Sequence, residues 1–481
     1  MRPLLISAAN KSSGKTMVSV GLCALLAERG LAIQPFKKGP DYIDPMWLSA
    51  AAGRSCINLD FHTMSVAEIS STFLSVSEGS SIALIEGNKG LYDGVSVDGN
   101  DSSAGLAKLL KAPVVLVINA YGMTRGIAPL LKGYLEFDKQ LNFLGVILNN
   151  VASTRHESKL RAAVEYYTDL KLLGAIRRNP QLRITERHLG LVPQNEFNGA
   201  NRIIKTIADT IAEQVDIEAL LGLSRTVAPV NITSTAKDDH SAKSLVRIGL
   251  ARDEVFGFYY PDDLLSLEKL GAELIYIDTI RDQNLPDVDA LFFGGGFPEE
   301  HLILLHQNKQ LRTKILGFID NGGPVYAECG GLMYLARSIS YRQTRYEMVG
   351  AIPADVVMET KPSGRGYVYL REKEIHPWRK IDGANVSEIP AHEFHYSRLE
   401  NIGPGVEYAY DMVRGFGIDG LHDGLIYKNL LANYSHLRAV GGNRWTERFV
   451  NHVRSGIEGC EERILGEGQM KQAHSGMKRA I

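Results

Sequence analysis

Short apolar runs, each ending in a loop rich in glycine or charge and followed by an amphipathic stretch, recur from the N-terminus: Pro3 to Ala8, Ile82 to Glu86, Val114 to Asn119 and Phe143 to Asn149. Runs without polar alternation suit strands buried on both faces, and their spacing by helix-length segments predicts a parallel sheet with crossover helices. From Leu221 to Ser244 the apolar period stops, and Pro, Thr, Ser, Asn, Lys and Asp take over, as in a linker. The alternation then resumes with Val246 to Ala251, Glu273 to Ile277, Ala290 to Phe293 and Pro324 to Glu328, around a helical stretch from Tyr260 to Leu270. The pattern predicts two α/β domains, at residues 1–225 and 246–440, joined by a linker at 226–245. A polar tail at 441–481 follows, with a short helix around Trp445 to Ile457 but no convincing core face.

Composition narrows this picture. A chain of 481 residues is long for a single core, and two domains of roughly 200 residues are the natural division. With 44% hydrophobic and 22% charged residues and a formal net charge of −2, it has no basic excess to attract nucleic acid or an acidic membrane. Cys23, Cys56, Cys329 and Cys460 lie far apart without CxxC spacing, which argues against a zinc site or a disulfide framework and for a reducing cytoplasm. The apolar start is too short for a signal peptide, and no later stretch approaches the ~20 residues of a membrane span. Oligomeric state stays open, with a homodimer allowed for.

The first candidate chemistry follows the first strand. Ala9-Asn10-Lys11-Ser12-Ser13-Gly14-Lys15-Thr16 has P-loop spacing, with Ala9 in place of the first glycine, and runs into a helix-favouring segment. Backbone N–H groups around Gly14 and the helix N-terminus suit a phosphate, Lys15 suits its outer oxygens, and the Thr16 hydroxyl suits Mg²⁺. Next, Pro35 to Pro45 reads as a loop carrying Lys37, Lys38, Asp41 and Asp44 to the same end of the sheet. A third strand then delivers Glu86, a metal-ligand candidate, and Asp93, which is suited to a second metal position or to substrate. Carboxylates converging on a phosphate site point to phosphoryl transfer from ATP.

The second candidate chemistry lies in the other half. Pro324 to Ala327 runs into Glu328-Cys329-Gly330-Gly331 and a helix-like Leu332 to Ala336, a strand–turn–helix resembling a nucleophile elbow with cysteine at its tip. The helix N-terminus is expected to favour a thiolate. Backbone N–H groups near Gly295, Gly296 and Gly330 are oxyanion-hole candidates, against the plainer alternative of a glycine turn. For the partner base, chemistry leaves His436, His392 and His395 in competition.

Together, Ser12 to Thr16, Lys37 to Pro45, Glu86-Gly87 through Tyr92-Asp93-Gly94, Glu328 to Leu335, and Glu393-Phe394-His395-Tyr396-Ser397 resemble the cobyrinate a,c-diamide synthases, over roughly residues 1–440. The resemblance implies a dethiobiotin-synthetase-like ATPase domain fused to a class I glutamine amidotransferase domain. In that family ATP and Mg²⁺ activate the a and c acetate side chains of a corrinoid, and L-glutamine supplies the amide nitrogen. By position it makes Cys329 the nucleophile and His436 its partner, and it supplies no third acid. Arg438 stands where the family often has a second histidine, which leaves a related tetrapyrrole (sirohaem, hydrogenobyrinate or nickel sirohydrochlorin) as the alternative substrate. Within Lys361 to Arg371, Arg365, Tyr367 and Arg371 suit propionates and a ring face, against the equal alternative of a solvated loop. A P-loop nucleotide switch without glutaminase activity is the non-enzymatic alternative.

Overall fold

Strands that are apolar on both faces need cover on both, and the N-terminal half supplies it with helices around a seven-stranded sheet. A computed structural model describes residues 1–182, 184–187, 190–197, 199–225, 245–381 and 386–457. It divides the chain into two compact units, Met1–Lys237 and Asp238–Ile481. The expected linker falls outside the described residues except for Leu245.

In the first unit the strands are β1 (Arg2–Ala8), β2 (Ile33–Lys38), β3 (Ile57–Leu59), β4 (Ile82–Glu86), β5 (Val114–Asn119), β6 (Phe143–Val151) and β7 (Leu172–Arg177). They lie in the order β3-β2-β4-β1-β5-β6-β7, with every neighbouring pair parallel. The chain leaves β1 to one side of the sheet and later returns to its other side, so the C-terminal ends of β1, β2 and β4 border one crevice, where ligands of open α/β sheets bind. Helix α1 (Lys15–Glu28) follows the P-loop directly, and α2 (Ile43–Ala52) follows β2. One expectation is corrected. Lys37 and Lys38 belong to β2, all six positions of which are buried, so Pro35 to Pro45 is a strand end, a short turn and a helix start, not one loop. Carboxylates waiting at the strand end make a buried lysine tolerable there.

The second unit is built on nine strands: β8 (Val246–Ala251), β10 (Ala272–Ile277), β11 (Ala290–Phe293), β13 (Val325–Glu328), β14 (Gly364–Glu372), β15 (Ile389–His395), β16 (Glu407–Arg414), β17 (His422–Tyr427) and β18 (Leu430–Asn433). Two short strands, β9 (Phe256–Phe258) and β12 (Gly295–Gly296), pair antiparallel beside this sheet. The sheet order is β10-β8-β11-β13-β18-β17-β16-β14-β15, parallel up to β18 and antiparallel from there on. Alternation along the central strands feeds two cores: Leu291, Phe293, Val325 and Ala327 enter one, while Ala290, Phe292 and Tyr326 enter the other. Residues 445–457 are helical. Here too the sequence reading is corrected. Trp445, Phe449, Val450 and Val453, one helical face at i, i+4, i+5 and i+8, are buried in the second of these cores. Residues 458–481 lie outside the described residues. Among the described residues, no helix is long and apolar enough to cross a membrane.

Candidate active sites

At the P-loop, Gly14 has φ +99°, a conformation that strains any side chain, and a Cβ there would stand 2.1 Å from Asn149 Nδ2. The Asn149 amide donates to Ser13 O at 3.0 Å and so ties the loop to the end of β6. Lys15 and Thr16 open α1 beneath this turn. The Thr16 hydroxyl donates to Glu86 Oε1 at 2.8 Å and lies 3.2 Å from Asp44 Oδ2.

The Lys37 ammonium bridges Asp44 (2.5 Å) and Glu86 (2.7 Å), with Asp41 at 3.7 Å. Lys15, Thr16, Lys37, Asp41, Asp44 and Glu86 therefore form one charged cluster. Asp93 shapes its border: it accepts from Gly90 N at 2.9 Å, and its charge reaches Lys15. Burial and the neighbouring Lys37 lower the affinity of Lys15 for its proton, while Glu86, Asp44 and Asp93 oppose them. Burial pushes the Glu86 carboxyl up to about 7, against the pull of Lys37. A cluster that holds so much charge in so little water is suited to a polyanion and a divalent ion.

Two observations bear on Mg²⁺. Glu86 Oε2 is buried and has no hydrogen-bond partner, while Oε1 already touches the Thr16 hydroxyl. Among the described residues, no three His, Cys, Asp or Glu side chains are grouped to hold a metal by themselves. Mg²⁺ commonly rests on one or two carboxylates and completes its shell with phosphate oxygens and water, so Glu86 and Thr16 fit it. An adjoining cleft of about 540 Å³ is lined by Ser12, Lys15, Thr16, Asn119, Asn150 and Arg177, among others. Asn119 and Asn150, which sequence reading missed, are joined by a 3.1 Å hydrogen bond; their place at the ends of β5 and β6 was the available signal.

In the second unit Cys329 sits at φ +47°, ψ −102°, between β13 and the short helix α3 (Gly330–Leu335). Such a conformation costs a residue with a Cβ about 1–3 kcal/mol and is characteristic of functional turns. The neighbouring backbone is tight: a Cβ on Gly330 would lie 2.9 Å from Gly296 N, one on Gly331 2.2 Å from Phe293 O, and one on Gly295 2.5 Å from His436 Cε1. Gly295, Gly296, Gly330 and the His436 ring thus meet beside Cys329.

The thiolate expectation is corrected. Burial holds the Cys329 thiol well above its ordinary range, Glu299 and Glu328 push it the same way, and the Gly330 N–H works against them. A six-residue helix does not outweigh desolvation, so the resting thiol needs a base.

The three histidines differ in their surroundings. His395 stacks on Tyr434, with ring centroids 3.9 Å apart, and its Nδ1 donates to Ser397 O at 2.8 Å. His392 exchanges backbone hydrogen bonds with His436. His436 is the one packed on Gly295. Its Nδ1 lies 3.3 Å from Glu328 Oε2. The loop that carries it is clamped by the buried Asp423, whose carboxylate accepts from Tyr434 N and Ser435 N, both at 2.9 Å. Neither acid stood out in the sequence. Arg438 is engaged elsewhere: it pairs with Asp262 at 2.6 Å and lies over the Tyr260 ring at 4.6 Å. Arg365 lies over the Phe394 ring and Arg371 pairs with Glu388.

Residues 5–192 match the CobQ/CobB/MinD/ParA nucleotide binding domain, and residues 247–443 match the CobB/CobQ-like glutamine amidotransferase domain. Proteins named cobyrinate a,c-diamide synthase are similar over nearly the whole chain. That of Magnetococcus marinus is 44% identical, covering 92% of this chain and 95% of its own. That of Archaeoglobus fulgidus is 40% identical, covering 93% and 96%, and that of Picrophilus torridus 39%, covering 93% and 98%.

Proposed function

Since the chain belongs to the cobyrinate a,c-diamide synthase family, we propose that its second unit frees ammonia from glutamine at Cys329 while its first unit spends ATP to activate the a and c acetate side chains of cobyrinate. The observation that carries this reading is the strained Cys329 turn, which gathers Gly295, Gly296, Gly330 and His436 in a chain that also holds a P-loop. A nucleotide switch has no use for such a turn.

In the second unit His436 takes the Cys329 proton, and Sγ attacks the glutamine carboxamide carbon. Backbone N–H groups of Gly296 and Gly330 face the developing oxyanion. The C–N bond breaks as His436 returns the proton to the departing ammonia, and water cleaves the thioester to glutamate. In the first unit Lys15 and the Gly14 turn hold the ATP phosphates, beside Lys37, which Asp44 and Glu86 hold in place. Transfer of the γ-phosphoryl group gives an acyl phosphate and ADP; ammonia then displaces phosphate to form the amide. Thr16 and Glu86 would hold Mg²⁺, which would supply charge neutralisation on the phosphates.

Cys329→Ala tests the division of labour. Glutamine-driven amidation is expected to fall by at least roughly 10³-fold, while amidation with added ammonium salt persists. Loss of both activities in a folded variant contradicts separate half-reactions. Mass spectrometry of products from cobyrinate and a panel of other carboxylated tetrapyrroles, with ATP and glutamine present, identifies the ring: cobyrinate is expected to gain two amides in succession.

A further inference from the structure

The sequence resemblance supplies a cysteine and a histidine but no acid to orient the histidine, and the residue two places beyond His436 is Arg438, committed to Asp262 and Tyr260. The structure supplies an acid from the other direction. Glu328, the residue immediately before the nucleophile and the last of β13, turns its carboxylate toward the end of β18. It is 3% exposed. One oxygen, Oε1, accepts from Tyr326 Oη at 2.6 Å and from Leu437 N at 2.9 Å, which fixes the orientation of the carboxylate. The other oxygen, Oε2, lies 3.3 Å from His436 Nδ1.

We propose that Glu328 is the positioning acid of the glutaminase site: it holds the proton of His436 on Nδ1, so that the Nε2 lone pair is turned to the Cys329 thiol. This rests on the glutaminase reading given above. The chemistry follows from the tautomer. A carboxylate cannot donate, so the ring nitrogen beside it carries the hydrogen, and the opposite nitrogen is left as acceptor. When the Cys329 proton moves to Nε2, the ring becomes an imidazolium whose charge the nearby Glu328 stabilises, and Glu328 itself stays ionised. No proton passes to it. The nucleophile and the orienting acid thus lie on adjacent residues of one strand end, and a single turn fixes both.

The arrangement is also mutually restricting. Tyr326 and Glu328 point from β13 to the same face, since residues two apart on a strand do so, whereas Cys329 leaves that strand at positive φ toward α3. Replacing Glu328 by glutamine keeps its volume and can preserve the bonds to Tyr326 and Leu437, but a Gln NH₂ group facing Nδ1 favours the wrong tautomer.

The test compares wild type, Glu328→Gln and Tyr326→Phe as full-length chains. Glu328→Gln is expected to lower kcat for glutamine hydrolysis roughly 10²- to 10⁴-fold with little change in the KM for glutamine, while ammonium-driven amidation persists. Tyr326→Phe loses one support of Oε1 but leaves the contact with Nδ1, and is expected to lower kcat less than Glu328→Gln does; an equal or greater loss counts against the proposal. Should Glu328→Gln fail to fold, ¹⁵N NMR of histidine-labelled wild type reads the same point: His436 is expected to carry its hydrogen on Nδ1. Wild-type kcat in folded Glu328→Gln, or an Nε2-protonated His436 in the native protein, overturns the proposal. If wild type itself does not hydrolyse glutamine, the glutaminase reading falls first.

Discussion

The two sites handle charge in opposite ways. Around the P-loop, Lys15, Lys37, Asp41, Asp44 and Glu86 are packed together with little water, and each is tolerable because the others are present. Around Cys329 the proposed nucleophile is a buried thiol, and the turn that holds it is shaped by backbone: one residue at positive φ and glycines that leave no room for a Cβ. The difference teaches that a site for moving phosphoryl groups is assembled from side-chain charge, whereas a site for a transient oxyanion is assembled from close main-chain contact. The two should therefore break differently.

The largest effect is expected where charge compensation is removed. Lys37→Met leaves Asp44 and Glu86 facing each other with no bridging ammonium, and the loss of one partner from a buried ion pair costs about 3–5 kcal/mol. Calorimetry is expected to show the first unit melting earlier, with Mg²⁺ restoring part of the loss and ATP-dependent amidation greatly reduced. Unchanged melting would mean that the carboxylates do not depend on Lys37, and the contrast with the second site would lose its electrostatic half.

A smaller, more selective effect is expected from geometry. Gly295→Ala adds one methyl without any charge, yet its Cβ falls 2.5 Å from His436 Cε1, so the imidazole must move. Glutamine hydrolysis is expected to fall roughly 10²-fold, as for loss of one oxyanion-site contact, with ammonium-driven amidation and the melting of the first unit unchanged. Full glutaminase activity in this variant would show that the ring tolerates displacement and that main-chain closeness is not what the site requires.

The same contrast explains what could be read from the sequence. β1 and β5 are apolar almost throughout, and the P-loop announces itself by glycine, lysine and threonine at fixed spacing. The Cys329 elbow was legible for a similar reason, since its strand, its turn and its helix are contiguous. What was not legible depends on distant residues meeting. Glu328 and His436 are 108 residues apart, and nothing local says that an acid before the nucleophile will face a histidine. The antiparallel half of the second sheet escaped notice because β15 inverts the expected alternation: Glu393 and His395 face in, while Phe394 is only partly buried. Glu393 tolerates that burial by accepting from Phe416 N and Gly417 N. A lysine inside a strand, as Lys37 is, makes sense only once Asp44 and Glu86 are in view beside it.

The smallest expected effect sharpens the comparison away from either reacting group. A half-buried histidine beside a cation should resist protonation, and His376 in the second unit is such a residue. Its Nδ1 accepts from Trp378 N at 3.1 Å and from Arg448 Nη2 at 3.0 Å, which leaves Nε2 to donate to Tyr410 Oη at 2.8 Å. Burial and the Arg448 charge lower its pKa to about 3. A folded-state value below that of the unfolded chain means that the unfolded chain binds the extra proton. The contribution is therefore present above the unfolded value of ~6.5 and is lost progressively as the pH falls below it, by up to about 1.4 kcal/mol per pH unit. Denaturant unfolding of the second unit, followed from about pH 7.5 down to about pH 5.5, is expected to show this slope. His376→Asn should unfold more easily at neutral pH, having lost the contact with Tyr410, but with a flatter dependence on acid. An equally steep slope in the variant would place the acid sensitivity in other groups.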